Sequence, residues 1–535
     1  MPRTPKVGSP RSKALAWWKR RADAHRYVVD ASEIPTAQMA GVLRHERLIH
    51  QVAGKRIVIL KAPEVIDDVA LFVANYWPVV VRVLAQYEPA AITGVDAVRL
   101  HLGEFAVPVN LTAQHAANRS RYDLLLDAEF VLRLRPTGGN KTVLRAATTT
   151  LEGPSGAELP VLAQAHLLMT LDEDEIKRDV ATVAAWLRHL VLPQPTLEAA
   201  LEIGARPIIL QRLADIAGRV GNASLERQLD RAARAHSTAR ATPNVTGVGT
   251  RIVVPEVLQQ IPVGTGTPWT DAQQTRLARQ VAEVDALLST SWANPPVFKR
   301  RDLLAHARAA KAYDAYHSTT MEGYRISRKT SDAIVAGRPH IGPRTEEEMK
   351  AAMAVKGYAY AFDRVLELSA TKAPVDGNMI LDLYQELFRP SVDAGFVEAS
   401  QLRGWRTWNV SLRGYRYVPP NHLKLRDLLA GLDVFAATTP ARPVARAMLV
   451  HLEFVTVHPF GDGNGRLGRL LMNLELLRAG LPWVTVRADE RQPFFVAIQR
   501  AQVEDDVTEF AHMMEHLMQQ AAKDLATRIS EKAKR

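Results

Sequence analysis

Twelve consecutive residues carry most of the chemistry in this chain: His458-Pro459-Phe460-Gly461-Asp462-Gly463-Asn464-Gly465-Arg466-Leu467-Gly468-Arg469. His458 is the one nearby group whose ordinary pKa lies close to neutrality, as a general base requires. Asp462 is a hard oxygen donor suited to Mg²⁺. Arg466 and Arg469 present planar, permanently charged forks that clamp phosphates. The glycines leave backbone N–H groups open to an anion where a helix is predicted to begin, and the helix dipole favours negative charge there. Together these residues predict an anion held at a helix N-terminus beside a base.

The elements that must position them are legible on either side. An apolar-periodic helix is predicted over Pro443–Val457, and a second over Asn464–Arg478, ending at Gly480 with Pro482 just beyond. Three other sites use the same letters less well. Gly463-x-Gly465-x-x-Gly468 satisfies the dinucleotide fingerprint, and Asp489 follows at about 20 residues, where a ribose-binding acid belongs. However, His458–Asp462 stand where a strand should deliver the glycines, and no further βαβ units follow. Read as a calcium loop, the sixth-position glycine falls on Leu467 and the final acid on Asn473. A P-loop would need a Lys-Ser/Thr ending, which is missing.

The segment resembles the signature of the Fic family, His-x-Phe-x-Asp/Glu-Gly-Asn-Gly-Arg-x-x-Arg, at every specified position, and the likeness covers most of Thr345–Gln519. This implies a helical catalytic domain that transfers AMP from ATP to a Tyr, Ser or Thr hydroxyl of a target protein. Residue by residue, the resemblance makes His458 the acceptor of the hydroxyl proton and Asp462 the holder of Mg²⁺ bridging the α- and β-phosphates. Gly463, Asn464 and Gly465 would stabilise phosphate charge. Arg466 and Arg469 would bind the β- and γ-phosphates, and Phe460 would anchor the loop. Some relatives transfer other phosphate-linked groups or remove AMP; both arginines being present favours a complete triphosphate site and AMP transfer.

Two further segments fit this picture. Trp405–Val418 reads as a hairpin turning at Arg413-Gly414. It resembles the family's flap, where Val410, Ser411, Leu412, Tyr415 and Tyr417 would receive an extended target segment by main-chain pairing. Alone, it reads better as an ordinary surface hairpin with aromatics on its buried face, and the nearby signature is what favours the flap. Ser318-Thr319-Thr320-Met321-Glu322-Gly323 matches the family's inhibitory pattern, Ser/Thr-x-x-x-Glu-Gly/Asn. Three letters are cheap, but this match ends a predicted helix, Asp302–Gly323, just ahead of the catalytic region. Ser318 and Glu322 lie one turn apart on one face. By resemblance Glu322 would pair with Arg469 and occupy the γ-phosphate position. One departure is Arg491-Gln492-Pro493-Phe494-Phe495, where many relatives carry tyrosine. His451 shares a helical face with His458 but joins no metal motif, and reads as structural.

The whole chain has 535 residues, net charge +11, pI near 9.7 and no cysteine. Disulfides and thiolate chemistry are excluded, a reducing compartment is suited, and a cytoplasmic protein without a membrane span or secretory leader is expected. The fold class expected is mainly α. Its parts are a basic tail over 1–27, an α+β domain over 28–151, a helical region over 152–241 and a linker over 242–300. An inhibitory helix over 301–330 and a Fic catalytic domain with its β-hairpin flap over 345–520 follow. The basic opening stretch attracts polyanions unless it is simply a solvated tail. A helix over Thr36–His50, then a strand at Arg56–Leu60, is faintly like a winged helix. Further on, Pro63–Tyr87 reads as a helix kinked at Pro78, and Phe130–Arg135 and Lys141–Thr149 as strands flanking a Gly138-Gly139-Asn140 turn. A DNA-binding regulator with a silenced catalytic domain is therefore the competing function, and a homo-oligomer is left open.

Overall fold

The computed structural model describes residues 9–23, 27–61, 67–116, 121–137, 140–202, 204, 206–237, 254, 266–338, 345–410, 412, 415–438 and 441–533. It divides into two units, one of residues 1–272 with 410–418, the other of 273–409 with 419–535.

The first unit opens with helix α1 (Pro10–Asp23), strand β1 (Val28–Asp30), a 3-10 turn at Ala31–Glu33, helix α2 (Ala37–His45) and strands β2 (Ile49–Val52) and β3 (Ile57–Leu60). Part of the expected basic tail is thus folded: Ala14 and Trp17 of α1 are buried with Val29, Met39, Leu43, Ile49 and Val58 in a small core of their own. Arg3, Lys6 and Arg26 lie outside the described residues. The helix expected to reach His50 stops at His45, because Ile49 pairs with Leu60 and the chain turns into an antiparallel sheet of order β1-β3-β2.

A second sheet of order β6-β7-β5-β4-β9-β8 follows, built from β4 (Ala90–Ile92), β5 (Asn110–His115), β6 (Tyr122–Asp127), β7 (Phe130–Pro136), β8 (Thr148–Glu152) and β9 (Glu158–Leu162). The alternation of Phe130, Leu132 and Leu134 with Val131, Arg133 and Arg135 places the apolar set inward. Two expectations fail here for local reasons. Lys141–Ala147 is a helix, not a strand, because the Asn140 side chain caps it by accepting from Val143 N–H. The segment expected to kink at Pro78 instead breaks at Asn75, into Asp68–Ala74 and Tyr76–Ala85 bent by 68°. Pro78 lies in the first turn of the second helix, where no backbone N–H is needed. Six short helices from Gln164–Thr170 to Ala223–His236 complete this unit. Of the expected linker, residues 242–253 and 255–265 are not described, and Pro268–Ser291 is a 24-residue helix. Among the described residues no single helix is long and apolar enough to cross a membrane.

The second unit is helical: Arg300–Met321, Arg328–Val335, Glu346–Leu368, Gly377–Asp393, Leu425–Thr438, Pro443–Val457, Asn464–Arg478, Arg491–Val503 and Thr508–Ala533. Pro443–Val457 and Asn464–Arg478 are buried on nearly every face, the second of them enclosing the polar Asn464, Arg466, Arg469, Asn473 and Glu475 as well as its leucines. Arg491–Val503 was not anticipated. Among the described residues of the hairpin expected over Trp405–Val418 there is no strand; Ser411, Arg413 and Gly414, which include its expected turn, are not described. Arg406 accounts for part of this. Its guanidinium donates to the carbonyls of His458, Trp408 and Pro420, which curls the chain. In the first unit, Arg416 pairs elsewhere: its carbonyl accepts from Val107 N–H at 2.7 Å and its Nε donates to Val107 O at 3.0 Å. Leu412, Tyr415 and Tyr417 line a cavity with Tyr76, Trp77 and Val107.

Candidate active site

The site lies between the ends of two helices. Pro443–Val457 terminates at His458, a non-glycine residue in the left-handed region (φ 50°), and Asn464–Arg478 begins after Gly463 (φ 86°), also left-handed. Two such turns fold five residues back so that one helix delivers the imidazole and the next presents its free N–H groups. Asn464 latches the turn, its side-chain oxygen accepting from Phe460 N–H at 3.0 Å and its amide donating to Phe460 O at 2.9 Å. Asn464, expected to stabilise phosphate charge, is therefore committed to the loop itself. Phe460 anchors as expected, buried and stacked on Tyr384 at 3.6 Å between ring centroids.

The His458 Nδ1 lies 3.2 Å from Val455 O. A carbonyl only accepts, so Nδ1 carries the hydrogen and Nε2 keeps its lone pair. Burial pushes the imidazole pKa down to about 4, against a smaller upward pull from that hydrogen bond, so the ring is neutral at physiological pH.

Two arginines sit on the first turns of the following helix, Arg466 and Arg469, with side chains only 1% and 2% exposed. Each keeps one buried N–H without a partner, Nε of Arg466 and Nη1 of Arg469. Unpartnered buried guanidinium donors are costly and call for an anion. Part of that demand is met from within. Glu322 Oε1 accepts from Arg469 Nη2 at 2.8 Å, and a Cβ at Gly465 would come within 2.3 Å of the same oxygen. The carboxylate thus lies against the helix N-terminus, and only glycine permits the approach. Ser318 is fixed beside it, accepting from Arg469 Nε at 3.1 Å and donating to Tyr358, which donates to the buried Asp314. Trp483 also donates to Asp314, and Arg491 holds Met321 O, so the end of the Arg300–Met321 helix is tied at several points. Gly323 (φ 92°) turns the chain out of that helix.

Tyr324 went unnoticed in the sequence, although it directly follows the Glu-Gly pair. Its hydroxyl donates to Asp462 Oδ2 at 3.0 Å, and its ring faces the Arg466 guanidinium at 5.1 Å. Burial raises its pKa, so the phenol keeps the proton it donates. Asp462 also accepts from Arg466 Nη2 at 3.2 Å and from Gly463 N–H at 2.6 Å. Among the described residues no group of three or more His, Asp or Glu forms a metal site. A lone, half-exposed carboxylate still fits Mg²⁺, which takes one or two carboxylates and completes its shell with water and substrate phosphates. His451 is buried against Phe494 and Phe510 with its pKa pushed down to about 3, a structural ring as expected.

Residues 374–476, which include the whole of His458–Arg469 and Tyr384, match the model of the Fic/DOC family. The chain carries a Fic domain. Protein adenylyltransferase fic-1 of Caenorhabditis elegans is 29% identical over 192 residues, covering 36% of each chain. Protein adenylyltransferase Fic of Aedes aegypti is 28% identical over 245 residues, covering 45% of this chain and 46% of the relative. The chain thus spans between about a third and a half of the length of these curated relatives. A solved structure of C. elegans Fic-1 (aa134–508) covers 67% of this chain at 19% identity, with a TM-score of 0.37. The Fic motif of this chain supplies a neutral base, a carboxylate and two anion-seeking arginines at one helix end.

Proposed function

We propose that this Fic domain transfers AMP from ATP to a side-chain hydroxyl of a target protein and is restrained by Glu322. The observation that carries the reading is the pair of buried arginines with unpartnered N–H donors at a helix N-terminus, beside a neutral imidazole. The target oxygen attacks the α-phosphorus as its proton passes to His458 Nε2. The bond to the oxygen bridging α- and β-phosphates breaks, and pyrophosphate leaves. Arg466 and Arg469 hold the departing charge, and the N–H groups at the start of Asn464–Arg478 face the phosphates; catalysis is positioning and electrostatics. Asp462 would hold Mg²⁺, which when bound offsets phosphate charge. Restraint follows from competition: the Glu322 carboxylate sits on Arg469 and Gly465, where a terminal phosphate would make the same contacts.

The test uses ATP labelled either on the adenine or at the γ-phosphate, with the Glu322→Gly protein and candidate substrates in cell extract. Adenine label on protein with no γ label supports AMP transfer; γ label on protein would show phosphoryl transfer instead.

A further inference from the structure

Residues 1–61 hold thirteen Lys and Arg against four Asp and Glu, so nine of the chain's eleven net positive charges fall in about a tenth of its length. The fold leaves much of that charge unneutralised. Three of the four acids are consumed internally: Asp30 and Glu33 by Arg82, Glu33 also by Arg21, and Glu46 by Arg11. Lys13, Lys19, Arg20, Arg44, Arg47 and Lys55 are exposed, with no carboxylate partner among the described residues. Attraction of these cations to a polyanion goes uncompensated.

The backbone says which polyanion fits. Helix, strand, short turn, helix and a two-stranded wing, with sheet order β1-β3-β2, form a winged-helix arrangement: one face of the sheet shares a small core with α1 and α2, while Val28, Val52, Ile57 and Ile59 of the other face join the core of the larger sheet. Met39 and Leu43 pin α2 to the small core, leaving its other face outward. That face begins with exposed Ala37 and Gln38 and half-exposed Ala40 and Gly41, where an added Cβ at Gly41 would meet nothing within 4 Å. It is narrow enough to enter a groove, with Gln38 able to read a base edge and Arg44 following on the same helix. The wing tip, Gly54-Lys55, turns between β2 and β3 with both residues left-handed and exposed.

We propose that residues 10–60 bind duplex DNA, with α2 in the major groove and the Lys55 wing on the adjoining phosphate backbone. This function is independent of AMP transfer. It is tested by anisotropy of a labelled duplex three helical turns long with the full chain across about 50 to 200 mM salt. Binding should weaken steeply with salt, and Arg44→Ala with Lys55→Ala should lower the log–log salt slope by about 2 while leaving the circular dichroism and melting unchanged. Exposed cations of the other unit, replaced as Arg301→Ala with Lys372→Ala, should leave the slope as it was. Failure to bind duplex at about 50 mM salt would overturn the proposal. So would tighter binding to an RNA hairpin or to phosphatidylserine vesicles, or an unchanged slope in the Arg44/Lys55 double variant.

Discussion

The motif loop at 458–469 and the segment at 405–418 both carry a residue pattern with a definite expected form; the loop takes it, while the described residues of the other segment contain no strand. In the loop, the residues that fix the geometry are neighbours in sequence: Asn464 latches Phe460, Gly463 and His458 supply the two left-handed turns, and Val455 orients the imidazole. In the other segment, Arg416 bonds to Val107, 309 residues away. Alternating aromatics and a turn dipeptide report a preference for extended chain, not the partner that satisfies its N–H and C=O groups. Local closure makes a site legible; distant closure hides it.

The contrast can be pressed by experiment, beginning with the loop. Removing the base should have the largest effect. His458→Ala in the Glu322→Gly background should lower AMP transfer by about 10² to 10⁴ while binding of a fluorescent ATP analogue persists, since the phosphate contacts are untouched. Next, Glu322→Gly alone should raise labelling by about 5- to 150-fold, the range of an ordinary coupling between two competing ligands. No rise in labelling would mean the carboxylate is structural. Because burial holds the His458 pKa at about 4, the released enzyme should keep its rate as pH falls through 6.5, declining only on approach to about 4 as the base is protonated. A midpoint near 6.5 would place the imidazole in water.

Tyr324 offers a finer probe. Tyr324→Phe keeps the ring over Arg466 but frees Asp462 of one hydrogen bond, so the Mg²⁺ concentration needed for half-maximal nucleotide binding should fall about threefold to tenfold. An unchanged requirement would separate the hydroxyl from the metal ligand. The smallest effect is expected outside the loop. Arg416→Ala leaves the Val107 N–H bond in place and should destabilise the first unit by about 1 kcal/mol in a denaturant melt, with ATP binding unaltered.

Much of the second unit is legible in the sequence, because Pro443–Val457 carries periodicity with a proline start and Asn464–Arg478 carries periodicity with a glycine stop at Gly480 just past its end. The inhibitory pair Ser318 and Glu322 was legible through its one-turn spacing. Tyr324 was not, since its importance depends on Asp462, 138 residues away. Two of the differences in the first unit are of one kind. Asn140 was taken as turn punctuation but caps a helix, and Pro78 was taken as a kink but sits where a helix tolerates it. Each residue type has two uses, and position relative to the helix start decides between them.

The most direct test of the central claim is the intact mass of the wild-type, Glu322→Gly and His458→Ala proteins after incubation with ATP and Mg²⁺. The account predicts one or more AMP groups added to the Glu322→Gly protein, far less on wild type and none on His458→Ala. A phosphate adduct, or equal AMP addition to the His458→Ala protein, would contradict it.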